Sequence, residues 1–175
     1  MNPLILVNAR HACPGGVPDL IPVGGSPVLL DWQAAQALEA LMEEGDGWQS
    51  IVPVSGWRSF EEQTGIYQSS LAENGPAFTR KYVALPGHSE HQTGLAIDLG
   101  LRGPEIDFIR PDFPYEGVCQ RFRERAADFG FVERYPAGKE AVTGIAHEPW
   151  HFRYVGPSHA REMVHRGLVL EEYLV

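Results

Sequence analysis

The chain has 175 residues and a formal net charge of −9 at pH 7, and its 14 lysines and arginines are not clustered. Nucleic acids and anionic membranes are bound by concentrated positive charge, so we expect neither as a partner. With 43% hydrophobic and 21% charged residues, the composition is that of a globular protein, and we expect a single domain over residues 1–175. The only two cysteines, Cys13 and Cys119, cannot build a disulfide framework and are interpreted as free thiols.

No segment of the sequence is typical of a leader or a membrane anchor. The apolar run at residues 4–7 is shorter than the core of a signal peptide, and no basic segment precedes it. No run of about eighteen apolar residues occurs, as a membrane-spanning helix would need. We therefore expect a cytoplasmic protein, although a chain from which a leader had been removed would look the same. The sequence leaves the oligomeric state open.

The first third of the chain begins with an irregular segment and continues into a helix. The region through about Pro27 is rich in Pro and Gly, so we expect an extended arm, with residues 4–7 as a short edge strand. Apolar residues at helical spacing then predict an amphipathic helix over residues 31–44, which Gly45 ends.

The remaining elements alternate between short strands and helices. Ser59 and Glu62 form a capping box, which predicts a helix from about Phe60 towards Glu73 that ends at residues 74–76. Strands are predicted over residues 50–55, 95–99 and 152–155, and further helices over residues 115–129 and from Pro157. The sequence therefore predicts an α+β fold in which helices flank a small antiparallel sheet.

The first segment with chemical potential runs from His91 to Asp98. Gly94 permits a sharp turn after His91, and the residues at 95, 97 and 99 are large aliphatics that can face the core. Asp98 then lies on the other face of the strand, towards the turn. A carboxylate among aliphatic neighbours is costly to bury unless it is paired or binds a metal. Metal binding is one interpretation, and a structural acceptor for loop amides is the other.

The second segment reads His147-Glu148-Pro149-Trp150-His151 and comes just before a predicted strand. His151 is placed at the start of that strand, where a ligand is held rigidly. Glu148 lies three residues earlier, across a proline that restricts the backbone. The alternative interpretation makes His151 a core histidine and Glu148 an ordinary surface acid.

Taken together, the two segments supply two histidines and one carboxylate, with a free glutamate beside them. Three protein ligands leave the fourth position of zinc open to water, which is the catalytic pattern. Zinc lowers the pKa of that water to about 7, and Glu148 could take its proton and pass it to a leaving amine. Fe(II) suits the same donor set, but no oxygenase signature accompanies it. The sequence thus favours a zinc-dependent amide or ester hydrolase.

Arg58 follows a predicted strand in the segment Ser-Gly-Trp-Arg-Ser. Its guanidinium could donate to a carbonyl oxygen that becomes anionic in a transition state. An ion pair with Glu61 or Glu62 is the alternative for this residue.

These segments resemble the zinc D-alanyl-D-alanine peptidases of the VanY/VanX type. Three motifs occur in the family's order, SGWRSFEEQ, GHSEHQTGLAIDL and EPWHFRYVG, and the resemblance covers most of the chain. The family includes cytoplasmic bifunctional dipeptidase–carboxypeptidases linked to vancomycin resistance, and this chain resembles that VanXY type most.

The resemblance implies a role for each residue of the motifs. Zinc ligands are implied at His91, Asp98 and His151. A catalytic base is implied at Glu148, and Arg58 is expected to steady the tetrahedral intermediate. Substrate-binding positions are implied at Ser89 and Gln63, and Trp150 could line the same pocket.

The resemblance also implies the substrate, a small peptide that ends in D-Ala-D-Ala. The free dipeptide and the pentapeptide of peptidoglycan precursors both fit, and the sequence does not separate them. Two alternatives stay open. One is an L,D-carboxypeptidase or endopeptidase of cell-wall peptides with the same metal ligands, and the other is a non-catalytic zinc-binding module.

Overall fold

The computed structural model describes residues 1–175. The strands are β1 (Leu20–Pro22), β2 (Leu29–Asp31), β3 (Ile51–Ser55), β4 (Ala96–Leu101), β5 (Phe131–Tyr135) and β6 (Glu148–Tyr154). The helices are α1 (Trp32–Glu44), α2 (Phe60–Tyr82), α3 (Gly117–Ala126), α4 (Glu140–Thr143), α5 (Pro157–Arg166) and α6 (Leu170–Tyr173). Three short 3₁₀ turns lie at Gly47–Gln49, Glu90–Thr93 and Ala127–Phe129.

The principal sheet has four strands in the order β3-β4-β6-β5, and β1 pairs with β2 in a second, two-stranded sheet. Every strand pair is antiparallel. Helices α1 and α3 contribute buried side chains to the same core as the strands of the large sheet. The predicted α+β class, with a small antiparallel sheet flanked by helices, is confirmed.

Alternation along β4 separates the core from the side of the sheet that carries the polar groups. Ile97 and Leu99 are fully buried in the core, as the sequence predicted. Asp98 lies between them, so its side chain points to the opposite face of the sheet. On the neighbouring strand Phe152 belongs to the core, and His151 therefore faces the same side as Asp98.

The register between β4 and β6 brings the two predicted ligands together. Asp98 is paired with His151, and Ile97 with Phe152. Directly opposed residues of an antiparallel pair have neighbouring side chains on one face. The carboxylate of Asp98 and the imidazole of His151 are therefore placed in contact by backbone pairing alone.

Strand β6 is irregular where it pairs with β5. Glu133 is paired with Phe152, whereas Tyr135 is paired with Glu148, so β6 contains extra residues between the two pairs. In a regular strand, residues three apart point to opposite faces. The irregularity therefore lets Glu148 reach the same side as His151. Pro149 lies in this irregular part of β6, where a residue that cannot donate a hydrogen bond to the neighbouring strand is tolerated.

The helix starts predicted near Asp31 and Phe60 are confirmed. The Asp31 side chain accepts a hydrogen bond from the backbone N–H of Gln33 at the start of α1. Both bonds of the capping box between Ser59 and Glu62 are present at the start of α2.

The predicted end of this helix at residues 74–76 is confirmed, but the second helical segment that follows it was not predicted. Gly75 has φ 78° and ψ 171° and breaks the helix, but the chain resumes helical geometry at Pro76 and continues to Tyr82. Proline fits the first turn of a helix because its missing N–H has no partner there. No helix of the structure combines the length and the apolar character that crossing a bilayer requires.

Other expectations also need correction. Residues 4–7 do not form a strand, because Leu4 and Leu6 pack on a small core beneath α5 and α6 while nearby carbonyls accept from Arg153. Strand β6 starts at Glu148, earlier than predicted, and strands β1, β2 and β5 were not predicted at all.

We expect Gly94→Ala to destabilise the protein more than Gly144→Ala. Both glycines have a left-handed φ, 72° and 77°, which costs a non-glycine residue about 1–2 kcal/mol. Only at Gly94 would the new Cβ also lie 2.8 Å from the backbone nitrogen of Asp31, whereas nothing lies within 4 Å at Gly144. Urea unfolding of the two variants measures the difference, and equal losses would contradict the steric argument.

Candidate metal centre and active site

Three buried side chains converge at the junction of β4 and β6. The potential ligand atoms of His91, Asp98 and His151 all lie within 4.8 Å of one another. His91 Nε2 is 3.2 Å from one carboxylate oxygen of Asp98, and His151 Nδ1 is 2.9 Å from the other. The structure therefore brings together the three ligands that the sequence predicted, in a cluster that could hold a metal ion.

His91 is placed by the 3₁₀ turn that precedes β4. The side chain of Ser89 accepts a hydrogen bond from the backbone N–H of His91 at 3.3 Å and so caps this turn. Gly94, in left-handed geometry, closes the turn and leads into the strand. The sharp turn predicted at Gly94 is thus the element that directs His91 towards Asp98.

Each imidazole has one nitrogen held outside the cluster and one directed into it. His91 Nδ1 lies 2.7 Å from the carbonyl oxygen of Gly56, to which it can only donate. His151 Nε2 lies 3.3 Å from a carboxylate oxygen of Glu90. Metal-binding histidines usually donate their second N–H to a carbonyl or a carboxylate in this way. Two imidazole nitrogens and one carboxylate form a donor set that suits zinc.

The pKa values of the three clustered side chains are strongly shifted. Burial alone would raise the pKa of Asp98, but the neighbouring His91 and His151 hold it well below its usual range. Burial and the nearby Arg58 lower the pKa of His91 to about 4. Burial alone would lower the pKa of His151, but the hydrogen bonds that it donates to Asp98 and Glu90 outweigh this effect and raise the pKa to about 9. The buried negative charge of the carboxylates thus requires a positive charge beside it. A protonated His151 provides that charge, and a bound metal cation could provide it instead.

Glu148 lies beside this cluster without joining it. Its nearest carboxylate oxygen is 3.9 Å from His151 Nδ1, and the residue is 5% exposed. Burial raises the pKa of Glu148 to about 8, against the lowering effect of His151. The alternative of an ordinary surface acid is therefore wrong, since this carboxyl group is buried.

The metal cluster and Glu148 line a pocket, and Arg58 lines the same pocket. It forms no salt bridge, so the alternative of an ion pair with Glu61 or Glu62 is wrong. Its Nε atom is buried without a hydrogen-bond partner. Burial lowers the pKa of Arg58, while the nearby Asp98 and Glu148 raise it. The guanidinium is thus partly desolvated and has donors free for a bound molecule.

The three remaining predicted residues also line this pocket, each in a different way. Gln63 donates from its side-chain nitrogen to the carbonyl of Ala84 at 2.8 Å, and its side-chain oxygen is buried without a partner. Ser89 caps the turn that carries His91. Trp150 is 5% exposed and belongs to the hydrophobic core, so it forms an apolar wall.

Three buried residues next to the metal cluster, Glu90, Arg134 and Arg153, were missed by sequence reasoning. Glu90 is buried beneath His151, and its other carboxylate oxygen accepts from Arg134 at 2.8 Å and from Arg153 at 2.7 Å. The signal that could have indicated them is an arginine between bulky apolar or aromatic residues in each of two short segments, because a buried arginine needs a buried acid.

Comparison with known protein families identifies the family of this chain. The family described as "VanY: D-alanyl-D-alanine carboxypeptidase" matches residues 28–157. The chain is similar to VanXYC of Enterococcus gallinarum, a bifunctional D-Ala-D-Ala dipeptidase and D-Ala-D-Ala carboxypeptidase. The two are 40% identical over 178 residues, which cover 99% of this chain and 94% of the relative.

Two solved structures share the fold over nearly the whole chain. The vancomycin-resistance D,D-dipeptidase VanXYg, in complex with a D-Ala-D-Ala phosphinate analogue, has a TM-score of 0.96 and 54% identity, covering 99% of this chain and 70% of that chain. The D,D-pentapeptidase VanY of a VanB-type resistance cassette, a single-residue mutant in complex with Zn(II), has a TM-score of 0.86 and 32% identity over 100% of both chains.

We expect the cluster to bind one divalent cation and Asp98→Asn to weaken that binding severely. The variant removes the only anion that contacts both imidazoles, so the loss should exceed the roughly 10–100-fold that follows loss of an outer-shell partner. Competition for Zn²⁺ with a chromophoric chelator measures the affinity. Asp112→Asn, at an exposed carboxylate outside the cluster, is the control. Wild-type affinity in Asp98→Asn would place the metal elsewhere.

Proposed function

Because the chain belongs to the VanY family of D-alanyl-D-alanine carboxypeptidases and is therefore a peptidase, we propose that it releases D-Ala from the C-terminus of peptides ending in D-Ala-D-Ala. The substrates are the free dipeptide, peptidoglycan precursor pentapeptides, or both. The observation that carries this proposal is the cluster of His91, Asp98 and His151 with the buried Glu148 beside it.

We assign zinc as the metal held by His91, Asp98 and His151. The nitrogen and oxygen donors fit it, and a similar protein has been solved with Zn(II). When bound by three protein ligands, zinc lowers the pKa of a coordinated water to about 7 and polarises a carbonyl. The backbone carbonyl of Gly56 orients the imidazole of His91 for this role.

Glu148 is the proton carrier of the proposed reaction. Its carboxylate takes a proton from the attacking water, whose oxygen forms the new bond to the scissile carbonyl carbon. When the carbon–nitrogen bond breaks, the same carboxyl group returns the proton to the leaving amine of D-Ala. A pKa of about 8, raised mainly by burial, suits both halves of this exchange because the group is close to balance near neutral pH.

Arg58 stabilises the oxyanion. The scissile carbonyl oxygen gains negative charge as the carbonyl carbon becomes tetrahedral, and a guanidinium without another partner can meet it. The pocket is partly closed to water, so a donor held in advance is worth more there than in solution. The buried, unpaired Nε of Arg58 supports this assignment.

Gln63, Ser89 and Trp150 are assigned to substrate binding. The side-chain oxygen of Gln63 lacks a partner and can accept from a peptide N–H or an ammonium group. The Ser89 hydroxyl accepts from the backbone N–H of His91 and keeps its own proton to donate. Trp150 supplies apolar surface on which an alanine methyl group can rest.

The proposal is tested by amine release from D-Ala-D-Ala and from a pentapeptide ending in it, with Zn²⁺ and with a chelator. We expect release from at least one substrate, lost with the chelator and restored by Zn²⁺. The ratio of the two rates distinguishes dipeptidase from carboxypeptidase activity. A tetrapeptide with an L,D bond at its end tests the L,D-carboxypeptidase alternative, which faster cleavage would support. No release from either D-Ala-D-Ala substrate by folded, zinc-loaded protein would refute the proposal.

We expect Glu148→Gln to lower kcat/KM by about 10²–10⁴-fold, the usual contribution of a positioned acid–base group. Zinc content should stay at the wild-type level, because Glu148 is not among the ligands. Steady-state kinetics and metal analysis of the same preparation separate the two effects. Glu124→Gln, on the outer surface of α3, is the matched control. An undiminished kcat/KM in Glu148→Gln would contradict the role of Glu148 as the proton carrier.

We expect Arg58→Gln to lower kcat by about 10²–10³-fold with a smaller change in KM, as removal of an oxyanion donor does. The loss falls on kcat because the contact strengthens only as the charge develops. Arg58→Lys keeps the charge but not the forked donor geometry and should recover only part of the rate. A change confined to KM would instead assign Arg58 to ground-state binding.

A further inference from the structure

Glu90 links the metal cluster to a buried pair of arginines. One of its carboxylate oxygens lies 3.3 Å from His151 Nε2. The other accepts from Arg134 Nε at 2.8 Å and from Arg153 Nη1 at 2.7 Å. Glu90 is 2% exposed and the two arginines are 1% and 0% exposed. A single carboxylate thus contacts a predicted metal ligand and two guanidinium groups in a site that excludes water.

The two arginines are in turn held by the two ends of the chain. Arg134 donates from both terminal nitrogens to the carboxylate of Glu171 in α6, at 2.9 and 2.7 Å. Arg153 donates to the backbone carbonyls of Pro3 and Ile5, at 3.0 and 2.7 Å. Elements far apart in sequence therefore converge on Glu90 through a continuous set of charge-assisted hydrogen bonds.

Stability alone is a poor explanation for this arrangement. Removing three charged groups from water is costly, and well-packed apolar residues of similar volume often replace such groups at no loss of stability. What the carboxylate provides, and an apolar residue cannot, is an acceptor at a fixed position behind the His151 ring. With Nε2–H committed to Glu90, only Nδ1 is available to the metal.

We propose that Glu90 is the positioning residue for His151, and that Arg134 with Glu171 and Arg153 with the N-terminal carbonyls fix Glu90 in turn. Both chain ends thereby contribute to metal affinity without touching the metal. This inference rests on the proposed zinc site. It assigns Glu171, in the short C-terminal helix, a role that its partly exposed position would not otherwise indicate.

The test compares zinc affinity in full-length Glu90→Gln, Glu171→Gln and Glu172→Gln. Glu172 is the matched control because it lies next to Glu171 on α6 and also forms an ion pair, with Lys139 at 2.8 Å, but has no contact with the arginines. We expect Glu90→Gln to bind zinc about 10–100-fold more weakly. Glu171→Gln should show a smaller loss, and Glu172→Gln none, by chelator competition on protein shown by circular dichroism to be folded.

A second measurement follows His151 directly. Nitrogen-15 NMR of the zinc-loaded wild type should show the proton of His151 on Nε2, and the signal should shift or exchange faster in Glu90→Gln. Should Glu90→Gln fail to fold, Glu171→Gln against Glu172→Gln still decides the question. Equal zinc affinity in folded Glu90→Gln and wild type, or in Glu171→Gln and Glu172→Gln, would overturn the inference alone. Wild-type protein that binds no zinc would overturn the zinc site itself.

Discussion

The contact between Asp98 and His151 is the constraint on which the rest of the site depends. A carboxylate next to Ile97 and Leu99 would be expensive to bury without a partner. The register of β4 and β6 supplies that partner by opposing the two residues across the sheet. Since a slip of one residue would turn every side chain of the strand to the other face, the core and the metal cluster specify the same register. The apolar alternation that folds the sheet therefore also assembles the site.

Glu148, the proposed proton carrier, reaches the side of His151 because strand β6 departs from regular pairing with β5. A regular β6 would turn Glu148 away from His151, and the extra residues opposite β5 restore it to the same side. Pro149 lies in this irregular stretch. Its backbone carbonyl accepts from Arg123 at 2.7 Å, which ties the segment to α3. The strand thus provides rigid support at His151 and a locally altered path at Glu148, so a ligand and a proton carrier can share one element.

Sequence reasoning recovered what is encoded locally. His91, Gly94 and Asp98 lie within one turn and one strand, so their spacing predicts their geometry, and the same holds for the capping box at Ser59. It missed contacts between residues that are far apart in the chain. Arg134 and Arg153 lie within apolar strands, and their partners come from Glu90 and the chain ends, which no spacing brings together. Strand β5 escaped prediction because Glu133 and Arg134 interrupt its apolar pattern, and both charges are satisfied only in the tertiary structure.

Two carboxylates flank the same imidazole, and their surroundings separate their chemistry. Although burial alone would raise the pKa of Glu90, Arg134 and Arg153 hold it well below its usual range, so it stays an anion. Burial raises the pKa of Glu148 to about 8 against the lowering effects of His151 and Arg58, and no arginine bonds to its carboxylate. Environments that push the pKa values of neighbouring acids apart assign them different tasks. In the proposed reaction, the fixed negative charge of Glu90 orients His151, and Glu148 gains and loses the proton. Two arginines bond to the carboxylate on one side of the His151 ring and none bonds to the carboxylate on the other side, and this difference underlies the two proposed roles.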